Sequence, residues 1–155
     1  MSSPRSTEGR GPRGVAVLGS TGSIGRQTLD VLGLHPDAFR IVALAAGTNG
    51  QLLAEQVARW RPAAVALGAG ARIDLPPGTS RISGDDALTA LAARDDVDIV
   101  IVATGGILSL RPVIAALEAG KVVATANKET LVAGGHLVMQ LARGLADAVA
   151  KAHPG

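Results

Sequence analysis

The stretch from residue 14 to residue 31 reads Gly14-Val-Ala-Val-Leu-Gly-Ser-Thr-Gly-Ser-Ile-Gly-Arg-Gln-Thr-Leu-Asp-Val31. Its aliphatic start predicts a short strand, and the apolar residues after the glycines predict an amphipathic helix. Gly19 permits a tight turn off the strand, Gly22 lets the backbone approach a pyrophosphate, and Gly25 lets the helix pack closely on the strand. A glycine-rich loop between a strand and a helix predicts a dinucleotide-binding site, with the phosphates at the helix N-terminus.

The glycine spacing leaves a second interpretation open. G-x-x-G-x-x-G is one residue longer than the common dinucleotide fingerprint, and glycine-rich turns also occur for geometric reasons alone. A P-loop is excluded, because Gly25 is followed by Arg26 and Gln27 and not by a lysine with a serine or threonine.

The composition indicates one domain with an aliphatic core. The chain has 155 residues, of which 47% are hydrophobic and only 1% aromatic, as is typical of a parallel sheet buried on both faces. It has no cysteine, which excludes disulfides, a thiolate nucleophile and a zinc–cysteine site. A formal charge of +2 is too small to indicate nucleic acid, and no stretch approaches the roughly 20 apolar residues of a membrane span. We therefore expect a cytoplasmic protein without nucleic-acid or membrane partners.

Strand and helix patterns alternate along the chain. This alternation predicts an α/β fold, a Rossmann-like doubly wound parallel sheet with three α/β/α layers in a single domain. The predicted strands cover residues 15–18, 40–45, 63–67, 97–103 and 121–126, with a brief segment at 81–83. Helices are predicted in the stretches between them, at 51–60, 85–93 and 110–119, and again from residue 128.

Three parts of the chain are distinguished by composition. Residues 1–13 are rich in Gly, Ser, Pro and Arg without apolar periodicity, and are predicted to form a disordered N-terminal arm. Residues 14–143 form the predicted cofactor-binding domain, and 144–155 a helical or frayed tail.

Ligands of doubly wound sheets bind outside the carboxyl ends of the strands. The loops at 19–25, 46–50, 104–106 and 125–129 are therefore the candidate site.

The second predicted strand indicates which dinucleotide binds. An NAD site usually has an Asp or Glu at the end of this strand, about 20 residues past the glycine loop, and its carboxylate holds the ribose 2′-hydroxyl. No carboxylate occurs between Arg40 and Gln51. Thr48 and Asn49 can instead donate hydrogen bonds to a 2′-phosphate, which favours NADP. A plain turn, in which Gly47 bends the chain and Asn49 caps the next helix, remains open.

A second motif, Ala126-Asn-Lys-Glu-Thr-Leu-Val132, follows the last predicted strand. Asn127 suits a helix N-cap, and Glu129 suits the positive end of a helix dipole. Lys128 opposes that dipole, so an anionic or polar substrate group near the nicotinamide explains it better. A solvated surface lysine is the alternative.

Together these motifs, in this order and at these separations, closely resemble the 1-deoxy-D-xylulose 5-phosphate reductoisomerase family, from about Val15 to Arg143. The segments that carry the resemblance are Gly19–Gly25, Ala45–Asn49 and Ala126–Val132. The family converts its sugar-phosphate substrate to 2-C-methyl-D-erythritol 4-phosphate, in the non-mevalonate isoprenoid pathway. It uses NADPH and a divalent metal, Mg or Mn, and the resemblance suggests a homodimer for the full-length protein.

The resemblance also implies roles for particular residues. NADPH contacts are implied for Thr21, Gly22, Ser23, Ile24, Gly47, Thr48, Asn49, Asn127 and Glu129. A substrate contact is implied for Lys128. Many family members carry lysine where this chain has Thr48.

The far end departs from the family pattern. Members continue into an Asp-Ser-Glu metal-binding motif and a catalytic domain, whereas this chain reads Gly144–Gly155 with Asp147 as a lone carboxylate. We therefore expect no metal ligands, no catalytic residue and no turnover from this chain alone. The alternatives are the cofactor domain of another NADP-dependent reductase, such as homoserine or semialdehyde dehydrogenase, and a stand-alone dinucleotide-binding module.

Overall fold

The structure, a computed structural model, describes residues 11–104 and 109–125. Within these ranges, the strands of one sheet are β1 Arg13–Leu18, β2 Phe39–Ala46, β3 Ala64–Leu67, β4 Ser80–Ile82, β5 Ile99–Val102 and β6 Val122–Thr125. The helices are α1 Ser23–Gly33, α2 Gly50–Trp60, α3 Ala87–Ala92 and α4 Leu110–Glu118.

All six strands of this sheet are parallel, in the order β4-β3-β2-β1-β5-β6. From β1 the chain moves outward through β2, β3 and β4, and then crosses back to place β5 and β6 on the other side of β1. The strand order therefore reverses between β1 and β5. In doubly wound sheets, ligands bind in the crevice at the carboxyl ends of the strands beside such a reversal.

The core consists of two apolar layers, one on each face of the sheet. Successive side chains of β1 alternate between them: Ala16 and Leu18 belong to one layer, and Val15 and Val17 to the other. Helices α3 and α4 cover the first layer, while α1 and α2 cover the second. Burial on both faces explains why the strands are nearly continuous aliphatic runs. The predicted three-layer Rossmann-like fold is confirmed.

The limits of the elements follow strand pairing more closely than local sequence. The brief segment predicted at 81–83 is the edge strand β4, paired with β3. Strand β1 begins at Arg13, which the sequence assigned to the N-terminal arm, because Arg13 pairs with Phe39. Strand β5 begins at Ile99 and not at Val97, whose N–H donates to the carbonyl of Arg94 within a turn.

The remaining predicted segments, at residues 1–10, 105–108 and 126–155, lie outside the described residues. Within 11–104 and 109–125, every helix falls short of the length and apolar content that a membrane crossing requires.

Candidate cofactor-binding site

The glycine-rich loop is held at the carboxyl edge of the sheet by backbone contacts. The N–H groups of Gly19 and Ser20 both donate to the carbonyl of Ala45, at 2.8 and 2.9 Å. Gly19 has a φ of +87°, and a Cβ there would lie 2.8 Å from the carbonyl carbon of Ala103. The loop therefore contacts the ends of β2 and β5 at once, and only glycine fits at its first position.

Gly25 is required for helix packing, as the sequence predicts. It is buried, and a Cβ at this position would collide with the carbonyl oxygen of Gly19 and lie 2.7 Å from the Cα of Ser20. Helix α1 therefore begins directly against the loop that precedes it.

Gly22 differs from both of these glycines because the fold does not require it. Its φ of −75° is open to any residue, and a Cβ there would meet only the carbonyl oxygen of Gly19, at an ordinary 3.6 Å. The residue is exposed at the tip of the loop. The space above it is where a phosphate could approach the backbone.

The N-terminus of α1 offers unsatisfied hydrogen-bond donors. Gly22 is the N-cap and has no side chain to accept from the first turn. The N–H groups of Ser23 and Ile24 make no hydrogen bond with another residue of the described ranges. These groups lie at the positive end of the helix dipole, and the first turn of α1 has no acidic residue. This arrangement can bind an anion.

Helix α2 begins differently, at the neighbouring turn. The side-chain Oδ1 of Asn49 accepts a hydrogen bond from the N–H of Leu52 at 3.1 Å, so Asn49 caps this helix. A capping role for Asn49 was the alternative that the sequence left open. The side-chain Nδ2 of Asn49 remains as a donor. Gly47, Thr48 and Asn49 are all exposed, and no atom lies within 4 Å of a Cβ at Gly47. The turn is thus open on its solvent side.

Gln56 was not predicted from the sequence as a site residue, although it connects α2 to the glycine-rich loop. It is buried, and its Nε2 donates to the carbonyl of Ser20 at 2.8 Å. Its Oε1 and the Oγ of Ser20 are buried without a hydrogen-bond partner in the described part of the chain. The sequence did contain a signal for this contact. Gln56 lies on the apolar face of an amphipathic helix together with Leu53 and Val57, and a polar side chain on such a face needs a hydrogen-bond partner.

The loops 19–25 and 46–50 differ in charge from the amino edge of the sheet. Near the amino edge, the Arg94 guanidinium holds the pKa of Asp96 below its usual range through two hydrogen bonds of 2.8 Å. There too, the Asp98 carboxylate accepts from the N–H of Gly14 at 2.8 Å. The loops 19–25 and 46–50, at the carboxyl edge, contain no carboxylate. An anionic ligand at the carboxyl edge therefore meets no repelling side chain within these loops.

The structure brings the first two predicted loops together, through the contacts of Gly19 and Ser20 with Ala45. The residues predicted at the nicotinamide and substrate end, Asn127, Lys128 and Glu129, lie outside the described residues. Within the described ranges no three His, Cys, Asp or Glu side chains form a group that could hold a metal ion. The described part of the chain therefore offers no fit to a divalent cation.

Known proteins resemble this chain in both sequence and fold. A 1-deoxy-D-xylulose 5-phosphate reductoisomerase of Moorella thermoacetica is 49% identical over 137 residues, which cover 84% of this chain and 36% of that protein. A solved structure of the Zymomonas mobilis 1-deoxy-D-xylulose 5-phosphate reductoisomerase in complex with NADPH superposes with a TM-score of 0.75 at 33% identity, covering 87% of this chain and 37% of that one.

A further crystal structure, of a DOX-P reductoisomerase with NADPH, fosmidomycin and magnesium, gives a TM-score of 0.76 at 32% identity. That match covers 85% of this chain and 34% of the other. This chain thus spans about a third of the length of its relatives. The sequence model described as 1-deoxy-D-xylulose 5-phosphate reductoisomerase matches residues 15–135, and the chain belongs to that family.

Proposed function

We propose that this chain is the NADPH-binding part of a 1-deoxy-D-xylulose 5-phosphate reductoisomerase. The observation that carries the proposal is the N-terminus of α1, which receives no hydrogen bond from a capping side chain and which the glycine-rich loop places at the reversal of strand order. Unsatisfied N–H groups at that position are suited to a pyrophosphate. The NADPH complex of the Zymomonas mobilis relative supports the same assignment.

The cofactor would be held by backbone groups more than by side chains. In this proposal Thr21, Gly22, Ser23 and Ile24 surround the pyrophosphate, and the open space at Gly22 admits it. NADPH supplies a hydride when bound. In this proposal the role of the chain is to hold and orient the cofactor. Since the described residues make no cluster of metal ligands, we assign no step to a metal here.

The adenosine end would lie at the turn between β2 and α2. Gly47, Thr48 and Asn49 are exposed there, and the Thr48 hydroxyl and the Asn49 Nδ2 can donate to a 2′-phosphate. A carboxylate at this position would repel that phosphate, and none is present between Arg40 and Gln51. This absence of negative charge favours NADPH over NADH, because nothing in the turn repels a 2′-phosphate.

The nicotinamide end would involve the motif after β6. We assign Asn127 and Glu129 to NADPH and Lys128 to the sugar phosphate, since a lysine at the start of the helix that the sequence predicts there would oppose the helix dipole. The strand β6 ends at Thr125 on the same carboxyl edge as β1 and β5, which supports a shared site.

The remaining parts of the proposal concern the whole enzyme. For the whole enzyme we infer the domain limits 14–143, a sugar-phosphate substrate, a divalent metal as in the family, a homodimer and a cytoplasmic location. This chain alone is expected to have no turnover. Its residues 126–155 contain only Glu129 and Asp147 as carboxylates, and a hard cation needs several oxygen ligands.

Two glycine variants test the cofactor assignment. Gly22→Val should abolish NADPH binding in calorimetry, because its branched side chain would occupy the place of the pyrophosphate. Its stability should fall only by the effect of a poorer N-cap, about 1 kcal/mol or less. Gly11→Val is the matched control, since Gly11 also has open space around its Cβ and lies outside the site. NADPH binding by Gly22→Val as tight as by the control would contradict the proposal.

A further inference from the structure

The loop after β3, residues 68–75, lies against the turn between β2 and α2. The N–H of Gly68 donates to the carbonyls of Ala46 and Gly47, at 3.1 and 2.8 Å. At the other end of the turn, a Cβ at Gly50 would lie only 3.0 Å from the carbonyl oxygen of Arg72. The loop therefore contacts the turn on both sides of Thr48.

Arg72 occupies a fixed part of this loop. Its neighbours Ala71 and Ile73 are half-buried and pack on the apolar layer beneath α1 and α2. The carbonyl of Ala71 also accepts from Nη1 of Arg81 at 3.1 Å. Arg72 itself is exposed. Anchored residues on both sides thus hold the Arg72 backbone beside the first residue of α2, while its side chain reaches into solvent.

The turn between β2 and α2 contains no cation of its own that could bind a phosphate. No lysine or arginine occurs from residue 41 to residue 58, and no acid from 38 to 54. A ribose 2′-phosphate is an anion, and NADP sites commonly use a nearby arginine to accommodate it. A guanidinium is suited to this because it can donate two parallel hydrogen bonds to phosphate oxygens.

Two arginines, Arg59 of α2 and Arg81 of β4, are engaged elsewhere. Arg59 lies 4.4 Å from the centre of the Trp60 ring and 3.7 Å from the Asp30 carboxylate, at the far end of α2. Arg81 is bonded to Ala71 and holds the loop. Arg72 makes no hydrogen bond or ion pair with another residue in the described ranges.

We propose that Arg72 is the residue that selects NADPH over NADH, by binding the 2′-phosphate from the neighbouring loop. The inference rests on the proposed cofactor function and adds the group that determines its specificity. In this chain the cation is supplied by the β3–β4 loop, and Thr48 and Asn49 add neutral donors from the turn.

The test compares Arg72→Gln with Arg40→Gln in the 155-residue chain. Arg40 is exposed at the start of β2, so its replacement removes the same charge at the opposite edge of the sheet. Calorimetric titration with NADPH and with NADH gives four dissociation constants, alongside those of the wild type. Arg72→Gln should weaken NADPH binding by about tenfold to one-hundredfold, or about 1.4 to 2.7 kcal/mol. It should leave NADH binding within about twofold, and Arg40→Gln should change neither.

Other results would overturn the inference in distinguishable ways. If Arg72→Gln weakened NADPH and NADH equally, Arg72 would act on the loop structure and not on the 2′-phosphate. If the wild type preferred NADPH and Arg72→Gln kept that preference, only the assignment of Arg72 would fail. If the wild type bound neither dinucleotide, the proposed function itself would fail.

Discussion

Replacing Gln56 by methionine tests whether α2 positions the glycine-rich loop. The Gln56 Nε2 donates to the Ser20 carbonyl at 2.8 Å, from a side chain that is only 7% exposed. Methionine has the length and about the volume of glutamine but cannot donate a hydrogen bond. Gln56→Met therefore removes one hydrogen bond with little change in packing.

The expected cost follows from two opposing effects. A buried carbonyl left without its donor costs about 1–3 kcal/mol. The substitution also removes the buried Oε1, which has no partner among the described residues, and this offsets part of the loss. We expect the free energy of unfolding to fall by about 1 kcal/mol, or roughly 2–4 °C in Tm for a chain of this size.

The effect on the cofactor separates positioning from simple stability. Ser20 lies between Gly19 and Thr21, so a loop released from Gln56 must be ordered again when NADPH binds. We expect the Kd for NADPH to rise about threefold to tenfold, or about 0.7 to 1.4 kcal/mol. Urea unfolding and calorimetry on the same preparations measure the two quantities.

Gln51→Met is the matched control because Gln51 is exposed in the first turn of α2. This surface change should alter stability by less than about 0.5 kcal/mol. The reasoning would be refuted if Gln56→Met unfolded at the same urea concentration as Gln51→Met. It would also be refuted if stability fell while the Kd for NADPH stayed unchanged, since the bond would then support α2 without positioning the loop.

Three further outcomes are expected. Asp96→Asn should destabilise the chain slightly at neutral pH, by less than about 1 kcal/mol for a partly exposed pair. Because Arg94 lowers the folded-state pKa of Asp96, this stability is present above the unfolded pKa of about 3.9 and is lost as the pH falls through the lower folded value. Unfolding curves of the variant and the wild type should therefore converge in acid, and a constant difference would contradict the assignment. Lys128→Ala should leave the Kd for NADPH within about threefold, roughly 0.65 kcal/mol, and lower kcat/KM in a full-length version. Loss of NADPH binding at an unchanged Tm would show that Lys128 holds the cofactor. The purified chain with NADPH, deoxyxylulose phosphate and Mg²⁺ or Mn²⁺ should show no decay of NADPH absorbance, and measurable turnover would contradict this.

The fold was predictable because its signals are local. The aliphatic run of β1, the loop that contains Gly19 and Gly25, and the apolar stripe of α1 lie within one continuous stretch. The same holds for the cap that Asn49 forms on α2. Each depends on residues that are close in sequence, where periodicity and turn chemistry apply directly.

The remaining features depend on contacts between distant segments. Ser20 and Gln56 are 36 residues apart, and no local pattern pairs them. The approach of Arg72 to Gly50 depends on how the β3–β4 loop returns over α2. The start of β5 at Ile99 is likewise set by its pairing with Val15. Tertiary contacts determine the partners of Gln56 and Arg72 and the start of β5. The sequence predicted only that the loops after the strands would meet at the carboxyl edge of the sheet.

The glycines of the site divide into two groups with different physical causes. Gly19 and Gly25 are required by the chain itself, because a side chain there would collide with the backbone. Gly22 and Gly47 have open space around the position of a Cβ. An unconstrained glycine weakens a folded chain, since it loses more conformational freedom on folding than other residues. At Gly22 the preference for glycine at a helix N-cap offsets part of that cost, whereas nothing within the described fold offsets it at Gly47. Under the proposed function, a ligand that approaches the backbone accounts for both glycines, with the pyrophosphate at Gly22 and the adenosine ribose at Gly47.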